Sequence, residues 1–135
     1  MKLITRDTDY AVRALCQMAK EKEKRFSVVE LVKDLGVPRP YLRKILQILT
    51  KKGILNSFKG LGGGFSLAIE PERIFLVDLM EIFQGPIKIN ECILKKKVCP
   101  DVKKCPLKRE IDSIEDHIVQ KMKSVTINSL VNPVI

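Results

Sequence analysis

Cys92, Cys99 and Cys105 are three of the four cysteines in the chain, and they fall in one stretch with six and then five residues between them. The thiolate is the metal-binding form of cysteine, and nearby cations favour it. Positions 92–109 carry seven lysines and arginines against one acid, Asp101. In a chain expected to be cytoplasmic, such a cluster points to metal binding or thiol redox chemistry rather than to a structural disulfide. Zinc ribbons favour tight CxxC pairs, and none occurs here. Widely spaced thiolates on a loop suit an iron–sulfur cluster, which is a larger object to wrap. Spacing alone leaves three chemistries open: an iron–sulfur cluster, zinc, or cluster-free thiol redox. Cys16 lies beside an apolar helical stripe and reads as a small core residue.

A second set of residues suits phosphate. The 135 residues hold 25 lysines and arginines against 16 acids, a net charge of +9. Residues 1–70 carry 14 basic and 7 acidic groups, and residues 71–135 carry 11 and 9. The basic excess therefore sits in the first half, the better candidate for nucleic acid. Aromatics are only 5% and tryptophan is absent, which argues against recognition by many stacked rings. No apolar run approaches the roughly 20 residues of a membrane span. The N-terminus shows no signal-peptide core, so a cytoplasmic protein with no membrane partner is expected. His117 is the only histidine, and no nucleophile–base or paired-carboxylate set stands out, so neither an enzyme nor a small-molecule substrate is expected.

These residues need elements to position them. Apolar residues at helical spacing predict a first helix over 7–23. Ser27 and Glu30 form a capping-box pattern ahead of Val28, Leu31, Val32 and Leu35, and Gly36 with Pro38 stops that helix. Pro40 suits the first turn of a third helix, which Gly53 ends. In it Leu42, Ile45, Leu46 and Leu49 point inward, while Arg43, Lys44, Gln47 and Lys51 fall on the other side. Two helices joined by a short turn, the second with a basic outer face, form a helix-turn-helix pattern. Extended runs over 54–59 and 65–69 flank Gly60-Leu61-Gly62-Gly63-Gly64 and predict a β-hairpin, the wing of a winged helix. The glycine run lacks the GxxxxGK[ST] arrangement of a nucleotide loop.

Pro71 closes the hairpin, and a short helix is predicted over 76–83. A long helix begins near Pro106. Its Leu107, Ile111, Ile114, Ile118, Met122 and Val125 form a narrow seam that a second copy of the chain would bury. The expected architecture is mainly α with a small β-hairpin: a winged helix-turn-helix over 1–84, a cysteine-bearing loop over 85–105, and a dimerisation helix and tail over 106–135.

DNA contact follows by role. Arg39, Tyr41, Arg43 and Lys44 open the third helix, the end that enters the major groove of double-stranded DNA. Arg43 suits a bidentate pair with guanine and Lys44 a phosphate. Lys59 and the backbone of Gly60, Gly62 and Gly63 suit close approach to phosphates or the minor groove. Ser27 offers its backbone N–H at a helix start.

The chain resembles the IscR/NsrR-type family of bacterial regulators. The matching stretches run from Thr8 to Leu15, from Val37-Pro38 to Tyr41-Leu42, from Leu49 to Leu55, and through Lys59-Gly60-Leu61-Gly62-Gly63-Gly64-Phe65, with the cysteine triplet following. The resemblance implies a homodimeric winged-helix transcription factor. It implies that Cys92, Cys99 and Cys105 bind an iron–sulfur cluster, 2Fe-2S or 4Fe-4S, that senses iron–sulfur status, nitric oxide or redox state. Lys108 stands where one branch has a histidine ligand. Asp9 stands where the other branch takes an aspartate from the partner subunit, with Asp7 and His117 as weaker candidates. Set against this is an iron–sulfur carrier, which would need no basic recognition helix and wing.

Overall fold

The computed structural model describes residues 3–87 and 105–133. Cys92 and Cys99 therefore lie outside the described residues. Thr5 caps the first helix, α1 (Arg6–Ala19), by accepting from the Thr8 backbone N–H. Ala11, Ala14, Leu15 and Met18 form its buried face. The helix stops at Ala19, short of the predicted 23, because residues 20–25 are exposed and offer no apolar face to bury. The N–H groups of Lys20 and Glu21 instead reach carbonyls three residues back, tightening the chain toward Phe26.

Ser27 starts α2 (Val28–Leu35), its hydroxyl accepting from the Glu30 N–H at 3.1 Å. Gly36 ends it in the left-handed conformation, φ 67°. Pro38 then leads into α3 (Arg39–Lys51), which has Pro40 in its first turn and buries Leu42, Ile45, Leu46 and Leu49 against α1 and α2.

The hairpin pairs β1 (Leu55–Phe58) with β2 (Gly64–Leu67), antiparallel, with Ser57 opposite Phe65 and Phe58 opposite Gly64. Phe26 adds a bridge on the far side of β2, exchanging both backbone hydrogen bonds with Phe65 at 2.8 Å. That bridge seats the wing on the segment entering α2. A short turn (Pro71–Arg73) leads to α4 (Leu76–Gln84). Leu79 and Met80 of α4 are fully buried.

The C-terminal helix α5 (Pro106–Lys123) begins where expected, but it ends before the last residue of the predicted seam. Val125 is not helical; its carbonyl accepts from the Leu76 N–H at 3.0 Å, and Ile127 N–H donates to the Ile74 carbonyl at 2.9 Å. Thr126 and Ser129 cap each other reciprocally to start α6 (Ile127–Val131). Ile127 is fully buried and joins the same core cluster as Leu15 and Leu46, and α6 packs on α1. The chain thus turns back into the core instead of extending the seam. Burial of Ile127 and two backbone hydrogen bonds outweigh one more helical turn in solvent.

Candidate nucleic-acid interface

A groove of about 570 Å³ opens between the start of α2, the outer face of α3 and the wing. Arg39, Arg43, Gln47 and Lys51 follow at four-residue steps along α3, so they share one face, and all four line the groove. Lys59 lines it from the wing and Ser27 from the start of α2. Four cations and no acidic side chain border this groove among the described residues.

Ion pairing sorts the cations by face. Lys22 pairs with Glu70 and Glu72, and Lys24 with Glu21 and Glu30. Arg13 pairs with Asp9, and Lys108 with Asp112. The Lys24 ammonium holds the Glu30 carboxyl below its ordinary value, with the nearby Ser27 backbone adding to this. Of the expected capping box, the half in which the Ser27 hydroxyl accepts from the Glu30 N–H is formed. Among the described residues, no acid pairs with Arg39, Arg43, Lys44, Lys51 or Lys59. Unpaired like charges along one wall repel each other, and a polyanion in the groove relieves that repulsion.

The structure brings Ser27, Arg39, Arg43, Lys59, Gly60 and Gly63 together in the groove. Tyr41 and Lys44 are exposed on α3 but do not line it. Tyr41 instead carries the Arg6 guanidinium over its ring, 5.4 Å from the centroid. Gly62 stands at the tip of the wing turn, which the Gly63 N–H closes on the Gly60 carbonyl at 3.0 Å. Gly63 has no room for a side chain: a Cβ there would lie 2.5 Å from the Phe58 carbonyl oxygen. Gln47 and Lys51, which the sequence puts on the outer face with no assigned role, join the groove, and their four-residue step from Arg39 and Arg43 is the signal that marks them. Ser57 and Phe58 carried no sequence signal; they enter the groove through the hairpin register, with Arg25 stacked over Phe58 at 3.7 Å.

Of the cysteine triplet, Cys105 is described. It is half-buried and occupies the N-cap position of α5. The positive end of a helix dipole complements the negative charge of a thiolate-ligated group. Asp9 lies in the first turn of α1, half-buried, with its carboxylate 3.0 Å from Arg13 Nε. Among the described residues no three potential metal ligands come together. Cys16 is half-buried on α1, and burial pushes its thiol up, with Lys20 pulling the other way. That suits the expected packing role.

Residues 4–133 match the family model Rrf2, described as an iron-dependent transcriptional regulator. A protein of Aquifex aeolicus named as an HTH-type transcriptional regulator is 34% identical over 125 residues, covering 91% of this chain and 87% of its own. Among solved structures, CymR, the global cysteine regulator of B. subtilis, superposes with a TM-score of 0.82 at 24% identity, covering 100% of both chains. IscR of T. potens superposes with a TM-score of 0.74 at 23% identity, over 97% of this chain and 86% of that one. At these identities the superpositions speak to the fold, a winged helix.

Proposed function

Because the chain belongs to the Rrf2 family of transcriptional regulators, which are not enzymes, we propose that it binds duplex DNA as a homodimer and that an iron–sulfur cluster sets its affinity. The observation that carries the DNA part is a groove that no acidic side chain borders among the described residues, with four cations along one face of α3 and the wing. The start of α3 presents Arg39 and Arg43 to base edges in the major groove. Lys51, Lys59 and the α2 N-terminus at Ser27 hold flanking phosphates. Tyr41 and Lys44 flank this contact, and Gly60, Gly62 and Gly63 let the wing backbone approach the duplex.

Cys92, Cys99 and Cys105 supply three thiolates, a donor set that fits an iron–sulfur cluster. Asp9 of a second copy supplies the fourth ligand, after leaving Arg13. When bound, the cluster supplies iron chemistry open to oxygen, nitric oxide or iron depletion. A carboxylate oxygen is a harder and weaker partner for iron than a thiolate, which suits a sensor better than a carrier.

One set of experiments tests this reading. Protein purified without oxygen should carry iron and sulfide and absorb in the visible. Cys92→Ala, Cys99→Ala or Cys105→Ala should each abolish stable assembly, and Asp9→Ala should leave a cluster that decays faster. Loaded and cluster-free protein should differ in affinity for a duplex selected from a random pool. Equal affinities would remove the cluster from control. Iron-free protein with reversibly oxidised thiols would replace cluster chemistry with thiol redox.

A further inference from the structure

We propose that Gln84, Thr8, Arg6 and Tyr41 form a relay of positioning residues that links the root of the cysteine-bearing segment to the DNA-reading end of α3 within one chain. Gln84 is the last residue of α4, immediately ahead of the segment that carries Cys92 and Cys99. Its side chain spends every polar atom on the start of α1. Oε1 accepts from Thr8 Oγ1 at 2.7 Å and from the Thr5 backbone N–H at 3.1 Å. Nε2 donates to the Leu3 carbonyl at 2.8 Å. Thr8 is fully buried, the only buried polar residue among those described, so its hydroxyl depends on partners inside the protein.

Two residues before Thr8 in the same helical turn, Arg6 lies over the Tyr41 ring. Tyr41 in turn stands between Arg39 and Arg43 in the sequence of α3's opening turn. One short piece of backbone, residues 3–8, is thereby gripped from one side by α4 and grips α3 on the other. A turn held by several hydrogen bonds moves as a unit with the group that holds it, and coupling between two sites travels through such contiguous contacts. A displacement of Gln84 at the end of α4 carries the turn at Thr5–Thr8 with it, because its amide holds that turn by three hydrogen bonds. The stacked ring then passes that displacement to the Arg39–Arg43 turn. Tyr41, outside the groove lining, gains a role here: it orients the reading turn through its contact with Arg6.

This inference rests on the reading of residues 85–105 as the sensing segment, but its first test needs no cluster. Cluster-free, reduced protein is titrated with its selected duplex and with random duplex, and circular dichroism checks each variant for folding. Gln84→Leu, which keeps the bulk and removes the hydrogen bonds, should weaken the selected duplex roughly threefold to tenfold and random duplex less. In a Tyr41→Ala or Arg6→Ala background the same change should have little further effect, whereas Tyr41→Phe, which keeps the ring, should preserve it. Additive losses, or no loss in Gln84→Leu, overturn the relay. If Gln84→Leu fails to fold, Thr8→Val removes one of the Gln84 contacts and should show the same dependence on Tyr41; additivity there overturns the relay equally. Loading the cluster then separates the two ideas. A relay that holds in a protein whose loaded and cluster-free forms bind alike leaves the relay standing and removes the cluster from control.

Discussion

Arg43 and Lys59 both border the groove, yet they should fail differently when removed. Arg43→Ala should cost about 1–3 kcal/mol on the preferred duplex and less on random DNA, because a bidentate base contact carries sequence information. Lys59→Ala should weaken both duplexes alike and flatten the salt dependence, because a phosphate contact carries none. Competition binding on the two duplexes at several salt concentrations separates these outcomes. The cysteines divide in the same way. Cys16 has its thiol pushed up by burial, and it packs beside the core of α1. Cys16→Ala should leave iron content unchanged, while Cys105→Ala should remove it, as iron and sulfide assays would report.

The wing depends on backbone crowding that side chains cannot enter. A methyl group on Gly63 would meet the Phe58 carbonyl at 2.5 Å and the Gly60 carbonyl at 2.8 Å. Both are backbone atoms of the same turn, so neither can swing aside as a side-chain end would. Gly63→Ala should therefore distort the hairpin and lower stability by about 1–3 kcal/mol in denaturant titration. The loss of DNA affinity should exceed what that destabilisation explains, since Lys59 rides on the same turn. Ser27→Ala removes the hydroxyl that accepts from the Glu30 N–H. It should cost about 1 kcal/mol, with DNA affinity affected only through the position of α2.

At the scale of the molecule, α5 is the long helix that the described residues cover least. It packs on α4, yet none of its 18 residues is buried, and Leu107 and Ile114 are 70% and 50% exposed. In the proposed homodimer a second copy covers this face, and it would place two reading helices for half-sites about one DNA turn or more apart. Ile114→Asp should leave each chain folded, because the residue faces solvent within one chain. It should break the dimer, because the carboxylate would be buried unpaired between two copies. Sedimentation with unchanged circular dichroism is the expected result, and an intact dimer would reject this assignment. Two copies, each holding phosphates with Lys51 and Lys59, should give a clear salt dependence, with a log–log slope of roughly −4.

The first four helices, the α2 cap and the hairpin were legible in the sequence because their signals are local, whereas α6 and its Thr126–Ser129 capping box were not foreseen. Ser27 accepts from a donor three residues on, Gly36 closes the turn it follows, and the apolar steps of α3 face the core at the period of the helix itself. The order of these elements identified the winged helix and its basic face without tertiary contacts. Pairings over long distances in the chain were not legible. Lys22 and Lys24 look as available as Lys51 and Lys59 along the chain, and it is Glu70, Glu72 and Glu30, brought up by the fold, that neutralise them. The end of α5 was likewise set by Ile127 finding the core and by the backbone of residues 74–76, about fifty residues earlier in the chain. Gln84 reads as an unremarkable last helical residue until α4 lies against α1 and its amide meets Thr5 and Thr8, more than seventy residues away. Periodicity determines which face of an element is apolar. What that face meets depends on chain closure and packing, and that is where the groove, the free cations and the relay were decided.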